Sequence, residues 1–185
     1  MQSVVCQEKA WKATHKSECA YIDLPSLAPQ GSGQMVAAAM RAFAAKHLKT
    51  IQSIALDALD VDSDPERGFR DALVIRLKPQ PEPMLVENMF QATDVRIYSK
   101  YEMGDRARSQ EIFDHLKAGI ARRESGRRDA THGVNVILLN TNPKVIDILP
   151  VVFSERQIHF PANFGPEYAG LEWDEMLLAL LNKVS

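Results

Sequence analysis

Apolar and polar positions alternate along this chain with two periods, and the switches between them mark the elements. Beyond Ser32, the positions Val36, Met40, Phe43, Ile51, Ala55 and Ala58 recur at three- and four-residue steps or their multiples, with His47 on the same stripe. At 100° per residue those positions share one face, so the stripe predicts an amphipathic helix. It runs from Ser32, a candidate N-cap, to about Leu59, which is roughly 38 Å at 1.5 Å per residue. One apolar face of that length needs a sheet to cover it. The run DSDPERG at 62–68 ends the helix, because Pro65 and Gly68 both break it.

The period then changes. ALVIRL at 72–77 is a short branched apolar run and predicts a strand. Three alternating prolines make KPQPEP a stiff loop. MLVENMF at 84–90 fits neither period. In DVRIYSKY at 94–101, Val95, Ile97, Ser99 and Tyr101 alternate with polar neighbours, as in a half-buried strand. A second helix opens at Gly104 or Asp105, carries Ile112, Phe113, Leu116 and Ile120 on one face, and stops near Gly126. GVNVILLN at 133–140 is the strongest strand, and VIDILPVVF at 145–153 is its hairpin partner across the NTNPK turn. Pro150 marks that partner as an edge or a bulge. Residues 157–170 read as an irregular loop. A last helix from Glu172 turns Trp173, Met176, Leu177, Leu180 and Leu181 inward.

This order predicts an α+β fold: a long helix and a mainly antiparallel, about four-stranded sheet with helices packed on one face. Ahead of it, residues 5–20 read as a separate helix. DLPSLAPQGSG at 23–33, rich in Pro, Gly and Ser, is the predicted linker, leaving 34–185 as the α+β domain.

Composition narrows the function classes. The net charge of −2 gives no field that would favour nucleic acid. Two cysteines do not make a disulfide scaffold and suit a reducing compartment. No secretory leader is expected from the N-terminal residues, and no run reaches the ~20 apolar residues that a membrane span needs. The expected location is cytoplasmic, nuclear or both.

The chemistry concentrates in VVCQEKAWKATHKSEC at 4–19. On a helix, His15 and Cys19 are four apart and share a face. Cys6 lies nine positions before His15, about half a turn out of phase. A helix would therefore aim Cys6 at one site and the His15/Cys19 pair at another. The competing reading is a short amphipathic helix with an incidental histidine and two thiols.

The order Ser3, Cys6, Gln7, Trp11, His15, Lys16, Cys19 resembles the C-terminal half of a MYND-type zinc finger, over less than a tenth of the chain. That family holds two zinc ions in interleaved sites. The resemblance implies that Cys6 belongs to the first site and His15 with Cys19 to the second. It also implies recognition of a protein or peptide partner, often proline-containing, with Gln7 and Trp11 shaping the peptide groove. Gln2 stands where the family has a ligand cysteine, and no Cys pairs precede it. One ligand at the first site and two at the second fall short of the four a structural zinc needs. The finger is therefore expected to be truncated here and to hold no zinc stably, zinc being the cofactor of the full-length form.

Other candidates are weaker. Asp60, Asp62 and Asp64 begin like a calcium loop, but Pro65 stands at the sixth position, where that loop needs glycine. An acidic solvated loop accounts for them. Arg122, Arg123, Arg127 and Arg128 read as a solvated helix end, His47 as a hydrogen-bonded core residue, and His115, His132 and His159 as structural or exposed. No nucleophile elbow, phosphate-binding glycine loop or zincin motif is present, so no catalytic residue is assigned. Two alternatives stay open for 34–185: an enzyme or small-ligand domain with an unfamiliar site, and an interaction scaffold.

Overall fold

The computed structural model describes residues 32–81, 83, 85–103, 106–125, 130–141, 144–154 and 164–183. The expected half-finger at 1–22 and nearly all of the expected linker lie outside the described residues. Helix α1 spans Ser32–Ala58. Strands β1 (Asp71–Pro79) and β2 (Phe90–Ser99) follow, then α2 (Arg106–Ser125), the hairpin of β3 (Ala130–Thr141) and β4 (Lys144–Ser154), and α3 (Trp173–Leu181). This is the α+β order expected, with three helices and a four-stranded sheet among the described residues. No described helix is long and apolar enough to cross a membrane.

Helix α1 ends on a cap with a clear sequence cause. Asp60 adopts φ 45°, the left-handed region. The N–H of Val61 then reaches back to the Leu56 carbonyl at 3.2 Å, and that of Asp60 to the Asp57 carbonyl at 3.1 Å. These two bonds form a Schellman closure, and Val61 and Leu56, both buried, supply the usual apolar contact.

The strand order is β2-β1-β3-β4. β1 pairs antiparallel with β2 and parallel with β3, and β3 pairs antiparallel with β4. The sheet is thus mainly antiparallel, with a parallel step at its centre. The two central strands are buried on both faces, and this is why ALVIRL and GVNVILLN are mostly apolar rather than alternating. Pro150 lies on the edge strand β4, where a missing N–H is tolerated.

The helices do not all share a face, contrary to the expectation. Leu73, Ile75 and Leu77 of β1 and Val134, Val136 and Leu138 of β3 join α1 and α3 in one core. The alternate residues Ala72, Val74, Ile137 and Leu139 join Ile112 and Phe113 of α2 in a second core on the opposite face. The physical reason is the parallel pairing of β1 with β3. Parallel neighbours need a crossover connection, and the segment holding α2 provides it. Without α2, the second face of two doubly apolar strands would meet water. Each large side chain buried this way, Phe113 among them, contributes about 1.5–3 kcal/mol.

Two details fix the ends of the sheet. A bulge shifts the register between Arg76, opposite Asp94, and Leu77, opposite Ala92. The extra residue, Thr93, donates its hydroxyl to the Arg76 carbonyl at 3.3 Å. At the other end, the 3-10 turn Pro65–Phe69 packs against β3 through Gly68.

Candidate functional site

Helix α1 and the C-terminal end of α3 border a small, partly open polar pocket together with the 3-10 turn Val86–Asn88. Its volume is about 80 Å³, and Phe90 and Leu181 supply its apolar wall. The polar lining comes from Lys46, His47, Gln80, Glu87, Asn88, Asn182 and Lys183.

Each group arrives by a local rule. His47 follows Phe43 by four residues on the apolar stripe of α1, so the stripe carries it inward. It is 8% exposed, and its ring lies 4.7 Å from the Phe43 ring at an interplanar angle of 46°. The expected hydrogen bond of a core histidine is not formed within the described residues; the ring stacks on Phe43 instead. Burial lowers the His47 pKa below its ordinary value, and the Lys46 charge lowers it further. His47 is therefore neutral at neutral pH. One residue earlier on the helix, Lys46 faces outward, and its Nζ donates to Asn88 Oδ1 at 2.8 Å. That bond ties the 86–88 turn to α1.

Helix α3 brings in Asn182 as its C-terminal cap residue. The Asn182 amide is already committed: it accepts from the Ala92 N–H at 3.0 Å and donates to the Ala92 carbonyl at 2.9 Å. Lys183 follows, with its Nζ 3.6 Å from Glu167 and 5.7 Å from the centre of the Tyr168 ring. Two cations and one carboxylate line the cavity, a surplus of one positive charge while His47 is neutral. Ligand pockets for organic molecules run to about 300–1,000 Å³, several times this volume. The pocket is of a size for water or a small polyatomic ion.

A second polar group lies on the α2 side of the sheet, at the bulge. Asp94 is shared by two guanidiniums, with Arg76 Nε at 3.3 Å and Arg96 Nε at 3.2 Å. Arg76 also donates to the Tyr98 hydroxyl at 3.4 Å. Arg96 is raised above its ordinary value by its hydrogen bond to Asp94 and by the nearby Asp94 charge. The set reads as cross-strand ion pairing between β1 and β2.

The residues singled out by the sequence are dispersed. Ser3, Cys6, Gln7, Trp11, His15, Lys16 and Cys19 all lie outside the described residues, as does His159. Asp60 caps α1, Asp64 pairs with Arg70, and Asp71 pairs with Arg67 at 3.1 Å. Among the described residues, no three His, Cys, Asp or Glu side chains are placed to hold a metal ion. His115 is exposed and His132 half-buried; Arg122 and Arg123 fall near the end of α2. Sequence reasoning missed Lys46, Glu87, Asn88, Asn182 and Lys183. Only Lys46 had a signal, its place beside a histidine on an apolar stripe. No family model, no curated protein and no solved structure matches the chain.

Proposed function

We propose that this is a binding protein of the MYND zinc-finger type, in which residues 1–22 are the C-terminal half of the finger and the α+β domain is its carrier. One observation supports the reading: the succession of Cys6, Gln7, Trp11, His15, Lys16 and Cys19 at the spacing of that finger's tail. In the full-length form zinc would hold the module together, since metal-dependent domains fold on their metal. The folded module would take a protein or peptide partner, with proline-containing peptides as the expected class and Gln7 and Trp11 beside the groove. The 185-residue chain holds zinc substoichiometrically, and the protein works in the cytoplasm, the nucleus or both.

The test is a comparison of two purified proteins by elemental analysis. The 185-residue chain should retain less than one zinc per molecule. A version extended with the N-terminal half of a MYND finger should gain zinc, and the changes Cys6→Ser or Cys19→Ser should remove the gain. Stoichiometric, tightly held zinc in the unextended chain, or no gain on extension, sinks the reading.

A second reading is that residues 34–185 form a small-ligand domain. It is favoured by the convergence of His47, Lys46, Glu87 and Lys183 on one cavity. The cavity's size turns this reading away from organic substrates and towards a small ion.

A further inference from the structure

We propose that the cavity beneath His47 binds a small oxyanion, a phosphate or a carboxylate end-group, with Lys46 and Lys183 as its counter-charges and the His47 imidazole as a hydrogen-bond donor. The inference rests on the small-ligand reading and gives that ligand its chemistry.

Three observations converge. First, His47 is more than nine-tenths buried and stacks on Phe43, while its ring nitrogens are not fully buried and the ring borders the pocket. Buried polar side chains normally have a hydrogen-bonding partner. The ring lines a cavity in which such a partner fits. Secondly, a partly open pocket of about 80 Å³ accommodates a small polyatomic group or the end of a longer one. Thirdly, the charges select the sign. Lys46 from α1 and Lys183 from the end of α3 face Glu87 from the 86–88 turn. Glu167 sits beside Lys183 but does not line the cavity. Either ion would meet two ammonium groups and one carboxylate, and that lining surplus attracts an anion rather than a cation.

Glu87 also predicts how binding depends on pH. Because Glu167 pairs with Lys183, an anion beside a neutral imidazole and Glu87 is only partly compensated. Proton uptake by His47 on binding adds a third positive charge and supplies a charge-assisted donor. The site should therefore bind more tightly as pH falls. The Lys46 charge that helps to keep the imidazole neutral is offset by an anion, which points the same way.

The full chain, labelled with nitrogen-15, would be titrated with inorganic phosphate, acetate and acetamide at constant ionic strength. Saturable shifts of the amides around residues 46–47 and 87–88 are expected with the anions and not with acetamide, the neutral analogue of acetate. Lys46→Met and Lys183→Met, both exposed positions, should each weaken binding about tenfold, whereas Arg96→Met should leave it unchanged. Acetate affinity should rise from about pH 8 to about pH 6, across the range in which histidine titrates and acetate does not. Binding of phosphate alone assigns the site to phosphate groups, and equal binding of acetate assigns it to carboxylates; either supports the proposal. Acetamide binding as tightly as acetate overturns the oxyanion assignment and leaves a neutral-ligand site. No saturable shift with any of the three overturns the small-ligand reading as well.

Discussion

Asn182 pairs with Ala92 as a neighbouring strand would. Its carboxamide oxygen takes the Ala92 N–H at 3.0 Å and its amide nitrogen gives to the Ala92 carbonyl at 2.9 Å. Ala92 lies on β2, an edge strand, next to the bulge at Arg76/Leu77. An unpaired edge is a template for another chain, and proteins blunt it with bulges and covering elements. Here both devices meet at one residue, and the cover also anchors the end of α3. Asn182→Ala leaves two backbone groups of Ala92 without their partner. The expected cost is about 1–3 kcal/mol, read from urea unfolding, with faster self-association on heating. Asn182→Asp keeps the acceptor but loses the donor and should cost nearly as much. An alanine variant as stable as the parent would show that water serves Ala92 equally well.

Gly68 packs against the Gly133 backbone so closely that a side chain there would disturb it. A Cβ on Gly68 would lie 2.0 Å from the Gly133 carbonyl oxygen, which belongs to the backbone and cannot swing aside. Gly68→Ala should therefore push the 65–69 turn off β3, at a cost of about 2 kcal/mol or more. Gly119 is the control, since a Cβ there has nothing within 4 Å and the residue lies inside α2. Gly119→Ala should raise stability by about 0.5–1 kcal/mol through helix propensity. Thermal melts of the two variants should move in opposite directions.

The carboxylate run DVDSD has a structural use that its calcium-like spacing obscures. Asp60 sits at φ 45° as the left-handed residue of the α1 cap, a position that normally favours glycine. It is exposed, and as an anion near a helix C-terminus it opposes the helix dipole. Asp60→Gly should remove both penalties and stabilise the fold by about 0.5–1 kcal/mol. Asp60→Val, branched at Cβ, should destabilise it. If glycine lowers the unfolding midpoint instead, the Asp60 side chain contributes a contact that outweighs its backbone strain.

Much of the fold is legible because period and punctuation agree. The stripe from Val36 to Ala58 marks α1, Gly126 marks the stop of α2, and the run 145–153 marks the hairpin partner β4, with Pro150 at the edge its missing N–H requires. The start of β2 is hidden, since MLVENMF contains both a 3-10 turn at 86–88 and the first strand residue, Phe90. The two-faced arrangement of helices escapes the sequence reading although it leaves a trace. ALVIRL and GVNVILLN lack alternation because both of their faces are covered, and only a second helical layer can do that. The cavity is the least legible feature. It is made by residues 46–47, 87–88 and 182–183, which no local pattern links, and the polar ones among them obey no period. The stripe correctly buries His47, but whether its ring meets a hydrogen-bond partner or a void depends on tertiary packing, which a stripe does not encode.

His47 gives the last prediction, through the linkage between protonation and folding. Burial and the Lys46 charge set its folded pKa below the ordinary histidine value of 6.5. Between those two values the unfolded chain binds the proton and the folded chain does not. The stability His47 allows is therefore complete above 6.5 and is lost as pH falls from 6.5 towards its folded pKa. Asp57 and Asp147 act with the opposite sign. Burial is the largest influence on both and raises them above 3.8, outweighing Arg41 in the case of Asp147. Their contribution diminishes as pH rises from 3.8, so they partly offset the histidine slope wherever the windows overlap. Urea unfolding across the mildly acidic range should show stability falling below 6.5 in the parent chain and a flatter profile in His47→Leu, a variant of similar volume that cannot take a proton. Identical slopes in the two proteins would mean that the imidazole finds compensation when charged, and an anion in the cavity beside it would be the first group to look for.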